Sequence, residues 1–375
     1  MNKKILASVI VLIVIIVLAL SVGKKTEDDG IFKIGYIGPE TGPSAVLGMD
    51  AIPAIQIAVE EVNKKGGING KPVELIVEDD QYLTKNTINA YNKLVNIDKV
   101  DALLVATYGG VFSIKDQAEK DDIIVIDPLD CNDELAASSE NIFCLATETE
   151  SIGTSIAEYM IKNGQTNAAV MYSTKDSFMN LVSKAFEDKF VAEGGKIVAT
   201  EAFNFEDNDF RTHLLKVKET NPAGLVILGH DEQGLIMKQA REIGIKSPFY
   251  TTGTITSPVA QKSAAGYAEG TYFAYWDAGS DNKLATEFNT KFVKKVGRPA
   301  ILPLTTHPAY DTMQVLFKVF EGINGDVTSN KIAKGLLDIK NLEGTTGTIS
   351  FEKDGGARIK ESIFKLVNGA PVKVN

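Results

Sequence analysis

The sequence predicts an α/β protein with two domains, each a doubly wound, mostly parallel β-sheet with helices on both faces. From Ile31 onward, short runs rich in β-branched residues alternate with amphipathic helical segments, which is typical of parallel sheets covered by helices. The chain has 375 residues, whereas one domain usually holds about 100–200. Because the alternation also runs in two separate series, we expect two such domains.

The first series begins with the strand Ile31–Ile37 and a turn-rich loop. Apolar residues then recur at three- and four-residue steps from Ala51 to Val62, which predicts a helix with one buried face, and Gly66-Gly67 ends that helix. The rest of the series alternates in the same way: strand Val73–Glu78, helix Thr87–Asp98, strand Val100–Ala106, helix Val111–Lys120 and strand Ile123–Asp127.

The second series shows the same alternation and extends to Trp276. Its elements are strand Ile142–Ala146, helix Ile152–Lys162, strand Ala168–Ser173, helix Leu181–Glu193, strand Lys196–Glu201, helix Phe210–Thr220, strand Leu225–Leu228, helix Gln233–Ile243, and strands Phe249–Thr252 and Thr271–Trp276. The second domain therefore repeats the architecture of the first.

The alternation of strands and helices ends in the last hundred residues. Helices are expected near Leu284–Val296, His307–Gly322 and Lys331–Leu337, followed by strand-like runs at Gly347–Phe351 and Ser362–Val367. The turn signal Lys353-Asp354-Gly355-Gly356 between the two runs predicts a hairpin. We expect the helices to return to the first domain and the hairpin to cross to the second.

Composition excludes several classes of protein. With 44% apolar and 23% charged residues, the chain matches soluble globular proteins rather than disordered or polytopic membrane proteins. Its 39 basic and 49 acidic residues give a net charge of −10, and the four arginines are scattered. Nucleic acid is not expected as a partner, because phosphates would be repelled by this surface.

The N-terminal segment stands apart from both domains. Ile5–Val22 has 18 residues without a charge and follows Lys3 and Lys4. As a helix it would extend about 27 Å, close to the roughly 30 Å thickness of the bilayer hydrocarbon. The alternative is a cleaved signal, with a cut site at Ala19-Leu20-Ser21. Residues 1–30 are therefore a signal peptide or a transmembrane anchor with a short tether, and both place the remainder outside the cytoplasm.

The chain has two cysteines, Cys131 and Cys144. In an oxidising compartment this pair could close a disulfide that contributes about 3 kcal/mol. Two free, partly buried thiols are an equally good interpretation. The cysteines do not indicate a metal site, because no CxxC occurs and the three histidines lack ligand spacing.

The sequence contains no catalytic constellation: GxGxxG after a strand, a phosphate loop and GxSxG are all missing. His230 follows the strand Leu225–Leu228, at the end of the sheet where α/β proteins bind ligands. It could act as a general base, but a polar loop that caps the helix near Gln233 is the favoured interpretation. We expect neither enzymatic activity nor a cofactor.

Several segments together resemble one family. The opening of the chain resembles that of type I periplasmic binding proteins of the leucine/isoleucine/valine-binding kind. The matching features are the stretch Lys33–Gly42, Gly48, and a helix that ends in EEVNKKGGING at 60–70. Further matches are Asp209-Phe210, Asn221-Pro222-Ala223, the helix end Gln239–Gly244, Tyr310-Asp311-Thr312, Thr346–Phe351 and Asp354-Gly355. The resemblance covers residues 31–375.

The resemblance implies a two-lobe clamshell whose chain crosses between the lobes three times and which closes on its ligand at a hinge. Lobe I would hold 31–148 and 278–341, and lobe II 149–277 and 342–375. Such proteins deliver a small polar ligand, most often an amino acid or amino-acid-like compound, to an ABC permease, and we expect a monomer. Two alternatives remain: a membrane-tethered receptor with the same clamshell, and an amide- or urea-type ligand.

The resemblance also indicates ligand-binding loops in the first lobe. In relatives, a Ser-rich loop after the fourth strand takes the ligand's carboxylate. Here that loop is Thr107-Tyr108-Gly109-Gly110, at a helix N-terminus that suits an anion, although the serines are missing. The loop after the fifth strand is Leu129-Asp130-Cys131-Asn132, where Asp130 is a new charge. Leu47 stands where relatives place an aromatic lid.

The second lobe departs further from the family pattern. Ser177-Phe178 stands where relatives carry a Tyr-Gly pair. The acidic residue that holds the α-ammonium group in relatives falls here on Gly253 or Thr254. The usual partner of the ammonium group is therefore missing.

A carboxylate elsewhere could replace that partner. We hypothesise that Asp130, together with Asp231, does so, because a desolvated cation needs a paired carboxylate. The alternative is that Asp130 only caps the segment Asn132–Ala136. Cys131 and His230 complete the set of candidate ligand-binding residues.

Overall fold

A computed structural model describes residues 30–42, 44–204, 206–276, 282–359 and 361–374. The segment Ile5–Val22, expected to be a signal peptide or an anchor, lies outside these residues. No helix within the described ranges is long and apolar enough to cross a membrane.

The first lobe is built on a six-stranded parallel sheet. In spatial order its strands are Gly356–Ile359 (β13), Ile142–Thr147 (β5), Ile124–Asp127 (β4), Ala102–Val105 (β3), Phe32–Gly38 (β1) and Val73–Asp79 (β2). Strands β3 and β4 are buried at every position, as expected where helices cover both faces of a parallel sheet.

The second lobe is built on a seven-stranded mixed sheet. Its strands are, in order, Ala370–Lys373 (β15), Glu361–Val367 (β14), Tyr272–Trp276 (β10), Phe249–Thr252 (β9), Gly224–Leu228 (β8), Asn167–Ser173 (β6) and Lys196–Phe203 (β7). Strands β6 to β10 pair in parallel, whereas β14 pairs antiparallel with both β10 and β15. The hairpin Leu342–Gly344 (β11) and Gly347–Ile349 (β12) forms a separate small sheet.

Helices follow most strands, as the sequence predicts. They are Ala51–Lys64 (α1), Thr84–Lys93 (α2), Tyr108–Lys120 (α3), Asp133–Ala136 (α4), Thr149–Lys162 (α5), Ser177–Ala192 (α6), Arg211–Glu219 (α7), Glu232–Glu242 (α8), Pro258–Ser263 (α9), Lys283–Val296 (α10), Pro303–Gly322 (α11) and Ser329–Leu337 (α12). The predicted α/β class, with mostly parallel sheets between helices, is confirmed.

The helices that come after the second lobe in sequence pack on the first lobe. The apolar face of α1, including Ala54 and Ile55, shares one core with Met313 and Phe320 of α11 and with the first sheet. Pro303 begins α11, a position where its missing N–H is no loss. Helices α10, α11 and α12 therefore contribute side chains to the same core as the first sheet.

The C-terminal segment differs from the expected arrangement. Strand β13 pairs in parallel with β5, with Gly356 opposite Cys144. Residues 342–359 therefore lie with the first lobe. Of the segment 342–375 that was expected in the second lobe, only the end lies there. The expected hairpin at Lys353–Gly356 is wrong, because these residues turn into β13, and the real hairpin joins β14 to β15. Strand β13 was missed because GARI carries a glycine and an arginine and lacks an apolar run.

Candidate functional site

A mainly apolar cavity lies where the two lobes face each other. Its walls come largely from loops that follow the carboxyl ends of parallel strands, the usual ligand edge of such sheets. The lining residues are Leu47, Tyr82, Leu129, Asp130, Thr147, Ile152, Phe178, Met179, His230, Thr252, Gly253, Thr254, Ala274, Tyr275, Trp276, Leu304 and Glu361. Six of the residues predicted from the sequence are among them: Leu47, Asp130, Phe178, His230, Gly253 and Thr254.

The loop after β4 brings Asp130 to the cavity. Asp127 accepts hydrogen bonds from the backbone N–H groups of Leu129 (2.8 Å) and Asp130 (3.0 Å) and so fixes the turn. The cap of α4 is Asn132, which accepts from the N–H of Leu135 at 2.8 Å. The alternative interpretation of Asp130 as that cap is therefore wrong.

The Asp130 carboxyl group is 2% exposed. Its Oδ2 has no hydrogen-bond partner among the residues that the structure describes. Burial raises the pKa of Asp130 well above its usual range, and the nearby charges of Asp127 and Asp176 raise it further, while the backbone N–H of Tyr108 favours the charged form. Asp130 is therefore a buried carboxyl group for which the described part of the chain supplies no paired cation.

His230 lies on the opposite side of the cavity and contacts an acid from its own lobe. Its Nε2 is 2.7 Å from Oδ2 of Asp176, which also caps α6 by accepting from the N–H groups of Phe178 (3.0 Å) and Met179 (3.3 Å). Burial is the largest single effect and opposes protonation, but the hydrogen bond and charge of Asp176, together with the charges of Glu232 and Asp231, outweigh it, so the pKa of His230 is raised. The N-cap position of α8 is occupied by Asp231, the next residue of the same polar loop.

Tyr82 reaches the cavity from the first lobe through an unusual backbone. Gln81 and Tyr82 have φ angles of 55° and 61°. Non-glycine residues rarely adopt this left-handed conformation, and those that do are enriched at functional sites. The side chain of Asp80 holds this turn by accepting from the N–H of Tyr82 at 2.8 Å. The only signal for this turn in the sequence is the acidic pair Asp79-Asp80 directly after β2, which is equally typical of an ordinary solvated loop.

Glu361 is the second acid at the cavity and lies at the first position of β14. Its Oε1 accepts hydrogen bonds from Ser151 (2.7 Å) and Ser155 (3.4 Å). Its Oε2 is buried and has no partner within the described ranges. Burial raises the pKa of Glu361 to about 8, against the lowering effect of the two serines. No local pattern in the sequence indicates this residue, because its place at the cavity depends on where the chain crosses to the second lobe for the third time.

The loop Thr107–Gly110 lies behind the cavity and does not line it. The hydroxyl of Thr107 donates to Oδ2 of Asp80 at 2.7 Å, and the hydroxyl of Tyr108 accepts from the side chain of Asn132 at 3.0 Å. A side-chain carbon added at Gly110 would meet Thr87 at 2.9 Å. These polar groups already have partners inside the first lobe.

Three further predicted residues also lie next to the cavity rather than on it. Cys131 forms a disulfide with Cys144, with Cα atoms 5.2 Å apart. Asp231 accepts from the hydroxyl of Ser257 at 2.6 Å, and Ser177 is the first residue of α6. The described part of the chain contains no group of three or more His, Cys, Asp or Glu residues able to hold a metal ion.

Sequence reasoning missed most of the apolar lining. Leu129 stands next to Asp130 in the loop after β4, with no pattern of its own. Tyr275 and Trp276 end the strand β10, whose aromatic residues are equally typical of a core-facing strand. Helical or strand periodicity does not distinguish a residue that faces a cleft from one that faces the core. The alternating aromatic residues were the only signal that could have found this wall.

Comparison with known proteins places the chain among solute-binding proteins. The sequence profile of the family described as periplasmic binding protein matches residues 32–369. Leu/Ile/Val-binding protein homolog 3 of Brucella melitensis is 25% identical over 373 residues, covering 98% of each chain. The branched-chain amino acid transporter substrate-binding protein of Streptococcus pneumoniae, solved with isoleucine, superposes with a TM-score of 0.83 at 26% identity, over 92% of this chain and 100% of that one. A solute-binding protein of R. palustris, solved with benzoate, has a TM-score of 0.82 at 19% identity, over 92% and 96%.

Proposed function

Because the chain belongs to the periplasmic binding protein family, we propose that it is the extracytoplasmic solute-binding protein of an ABC transporter. It captures a small polar compound, an amino acid or an amino-acid-like compound, between its lobes. The family match over residues 32–369 carries this proposal, and the enclosed cavity between the lobes supports it. The Brucella relative is named for leucine, isoleucine and valine, and the Streptococcus protein holds isoleucine, which favours this ligand class.

The proposed ligand-binding residues come from both lobes. Leu47 and Asp130 belong to the first lobe, and Phe178, His230 and Thr254 to the second. A ligand that touches both sets stabilises the closed form over the open one, since only the closed form makes all the contacts. Closure on the ligand is the event that the permease would recognise.

The second-lobe wall at Thr254 is held rigidly by its own hydrogen bonds. The hydroxyl of Thr254 accepts from the side chain of Gln233 at 2.7 Å, lies 2.7 Å from the hydroxyl of Thr252, and donates to the carbonyl of Gly229 at 3.1 Å. These contacts use the one donor and both acceptor sites of the hydroxyl, so Thr254 contributes the shape of the wall and not a hydrogen bond to the ligand. A wall that is fixed before a ligand arrives limits the entropy lost on binding.

A ligand screen tests the proposed function. Purified protein is heated with each of the amino acids, simple amides, urea, aliphatic amines and benzoate, and the unfolding temperature is recorded. A binding compound is expected to raise that temperature and to reduce the radius of gyration in small-angle scattering. If no compound in any class changes either quantity, the proposed function is contradicted.

We also propose that residues 1–30 direct export and that the protein acts as a monomer. N-terminal sequencing of the protein from its native cells, together with membrane fractionation, distinguishes a cleaved signal from a retained anchor. Light scattering after size-exclusion chromatography measures the mass. A mass of twice 40.5 kDa would contradict the monomer.

A further inference from the structure

The charged groups that line the cavity are mainly acids. Asp130 and Glu361 both lie on its wall, and no lysine or arginine of the described residues joins them. Among the described residues, His230 is the one basic side chain on this wall, and its Nε2 is already paired with Asp176 at 2.7 Å. An anionic ligand group would therefore be buried beside two acidic side chains, and no unpaired cation of the described residues would balance its charge.

The helix N-terminus that suits a carboxylate is already occupied. The backbone N–H of Tyr108, the first residue of α3, interacts with the carboxylate of Asp130, and a second carboxylate, that of Asp80, accepts from Thr107 at the same end of the helix. A side chain of the protein thus takes the position that the family resemblance assigns to the ligand's carboxylate.

One oxygen of Asp130 remains available. Oδ2 is buried and has no partner in the described part of the chain, while the residue itself is 2% exposed and lines the cavity. A buried carboxyl group without a hydrogen bond or a cation is driven towards its neutral form, and its unpartnered oxygen costs free energy. A ligand that brings an ammonium group supplies both a hydrogen bond and a cation, and so stabilises the ionised form of Asp130.

The rest of the wall favours an apolar body. Leu47, Leu129, Phe178, Met179 and Trp276 surround the cavity. Aromatic faces also attract cations that have been removed from water.

We propose that the ligand is a primary amine with an apolar body and no carboxylate, held by its ammonium group on Asp130. The inference rests on the proposed function and names the ligand class of the same cleft. An α-amino acid places a second carboxylate about 5 Å from Asp130, and at an effective dielectric constant of about 20 this repulsion lowers affinity on the order of a hundredfold.

The first test compares matched pairs on the full-length protein by calorimetry. The probes are 3-methylbutylamine against leucine, and 2-phenylethylamine against phenylalanine, which differ only by the carboxylate. The amine is expected to bind about a hundredfold more tightly than its amino acid. Tighter binding of the amino acid, or binding only of an amide or benzoate, overturns the inference but leaves the proposed function standing. If nothing in the whole screen binds, the proposed function itself fails, and the inference with it.

The second test removes the charge of Asp130. Asp130→Asn is expected to weaken amine binding at least thirtyfold, about the effect of removing one partner from a buried charge pair. The unfolding temperature without ligand should be unchanged or higher, because a buried unpaired acid is gone. Glu140→Gln, on an exposed residue, is the matched control and should bind as the wild type does.

Unchanged amine affinity in Asp130→Asn would overturn the assignment. Because the comparison of amines with amino acids uses the wild-type protein, it decides the question even if this variant does not fold.

Discussion

The ring of Tyr82 meets the ring of His230 edge to face, with centroids 5.7 Å apart. Tyr82 follows β2 in the first lobe and His230 follows β8 in the second, so this contact joins the lobes across the mouth of the cleft. Aromatic pairs of this geometry contribute about 0.5–1.5 kcal/mol beyond the burial of their surface. The contact therefore favours the closed form.

Replacing Tyr82 should shift the protein towards the open form. Tyr82→Ala is expected to increase the radius of gyration of the ligand-free protein, because the ring contact with His230 is lost. Small-angle scattering measures this change. Tyr82→Phe keeps the ring and is the control. Equal scattering from the alanine variant and the wild type would show that the contact does not hold the lobes together.

The buried acids make stability depend on pH. The pKa of Glu361 is raised to about 8 by burial, and burial also raises the pKa of Asp127 and Asp130. An acid with a higher pKa in the folded than in the unfolded state stabilises the fold below its unfolded pKa, and this stability is lost as the pH rises through the folded pKa.

The unfolding temperature of the ligand-free protein should therefore fall between about pH 5 and pH 9. Glu361→Gln, which cannot ionise, should flatten the profile, whereas Glu219→Gln, on an exposed residue, should leave it unchanged. Calorimetric scans across this range provide the measurement. A wild-type profile that rises with pH would contradict the assignment.

The disulfide Cys131–Cys144 should stabilise the loop that carries Asp130. The double variant Cys131→Ser with Cys144→Ser is expected to lose about 3 kcal/mol of unfolding free energy, because the unfolded chain is no longer constrained. Urea denaturation measures this loss. A reducing agent should destabilise the wild type by a similar amount and leave the double variant unchanged. If the reducing agent leaves the unfolding free energy of the wild type unchanged, the result would argue against the disulfide bond.

Arg358 forms ion pairs with acidic side chains just before the chain crosses between the lobes for the third time. Its side chain is 13% exposed and lies 2.6 Å from Asp354 and 3.0 Å from Glu352, with Asp133 also in contact. Arg358→Met should destabilise the protein by about 1–3 kcal/mol, measured by urea denaturation. Arg358→Lys should be intermediate, because an ammonium group cannot reproduce the planar fork. Wild-type stability in the methionine variant would show that the cluster is only a surface arrangement.

Local patterns predicted most of the fold. The helices and parallel strands follow from apolar periodicity, as with the buried face of α1, and each domain is a local series of such elements. The pairing of β13 with β5 does not follow from local pattern, because it joins Gly356 to Cys144, residues that are far apart in sequence. Its four residues are too few to show a period.

Part of the candidate site was predictable. His230 was found as a polar residue in the loop after a parallel strand, whereas Leu47, Asp130 and Phe178 were found through the family resemblance, and all four line the cavity. Neither approach identified Tyr82 or Glu361, because Tyr82 reaches the cavity through a left-handed turn and Glu361 through the position of the third crossing between the lobes. Their role is visible only when both lobes are placed together.

The late position of β13 in the sequence also determines when the sheet of the first lobe can be completed during folding. The sheet of the first lobe has an unpaired edge at β5 until Gly356–Ile359 arrives from the far end of the chain, and exposed strand edges promote association between chains. A chain that stopped before Gly356 would lose this cover. The lobe whose strands begin the chain is therefore not complete until residue 359, when most of the second lobe has already been synthesised. Until then its sheet keeps an edge that is open to association with other chains.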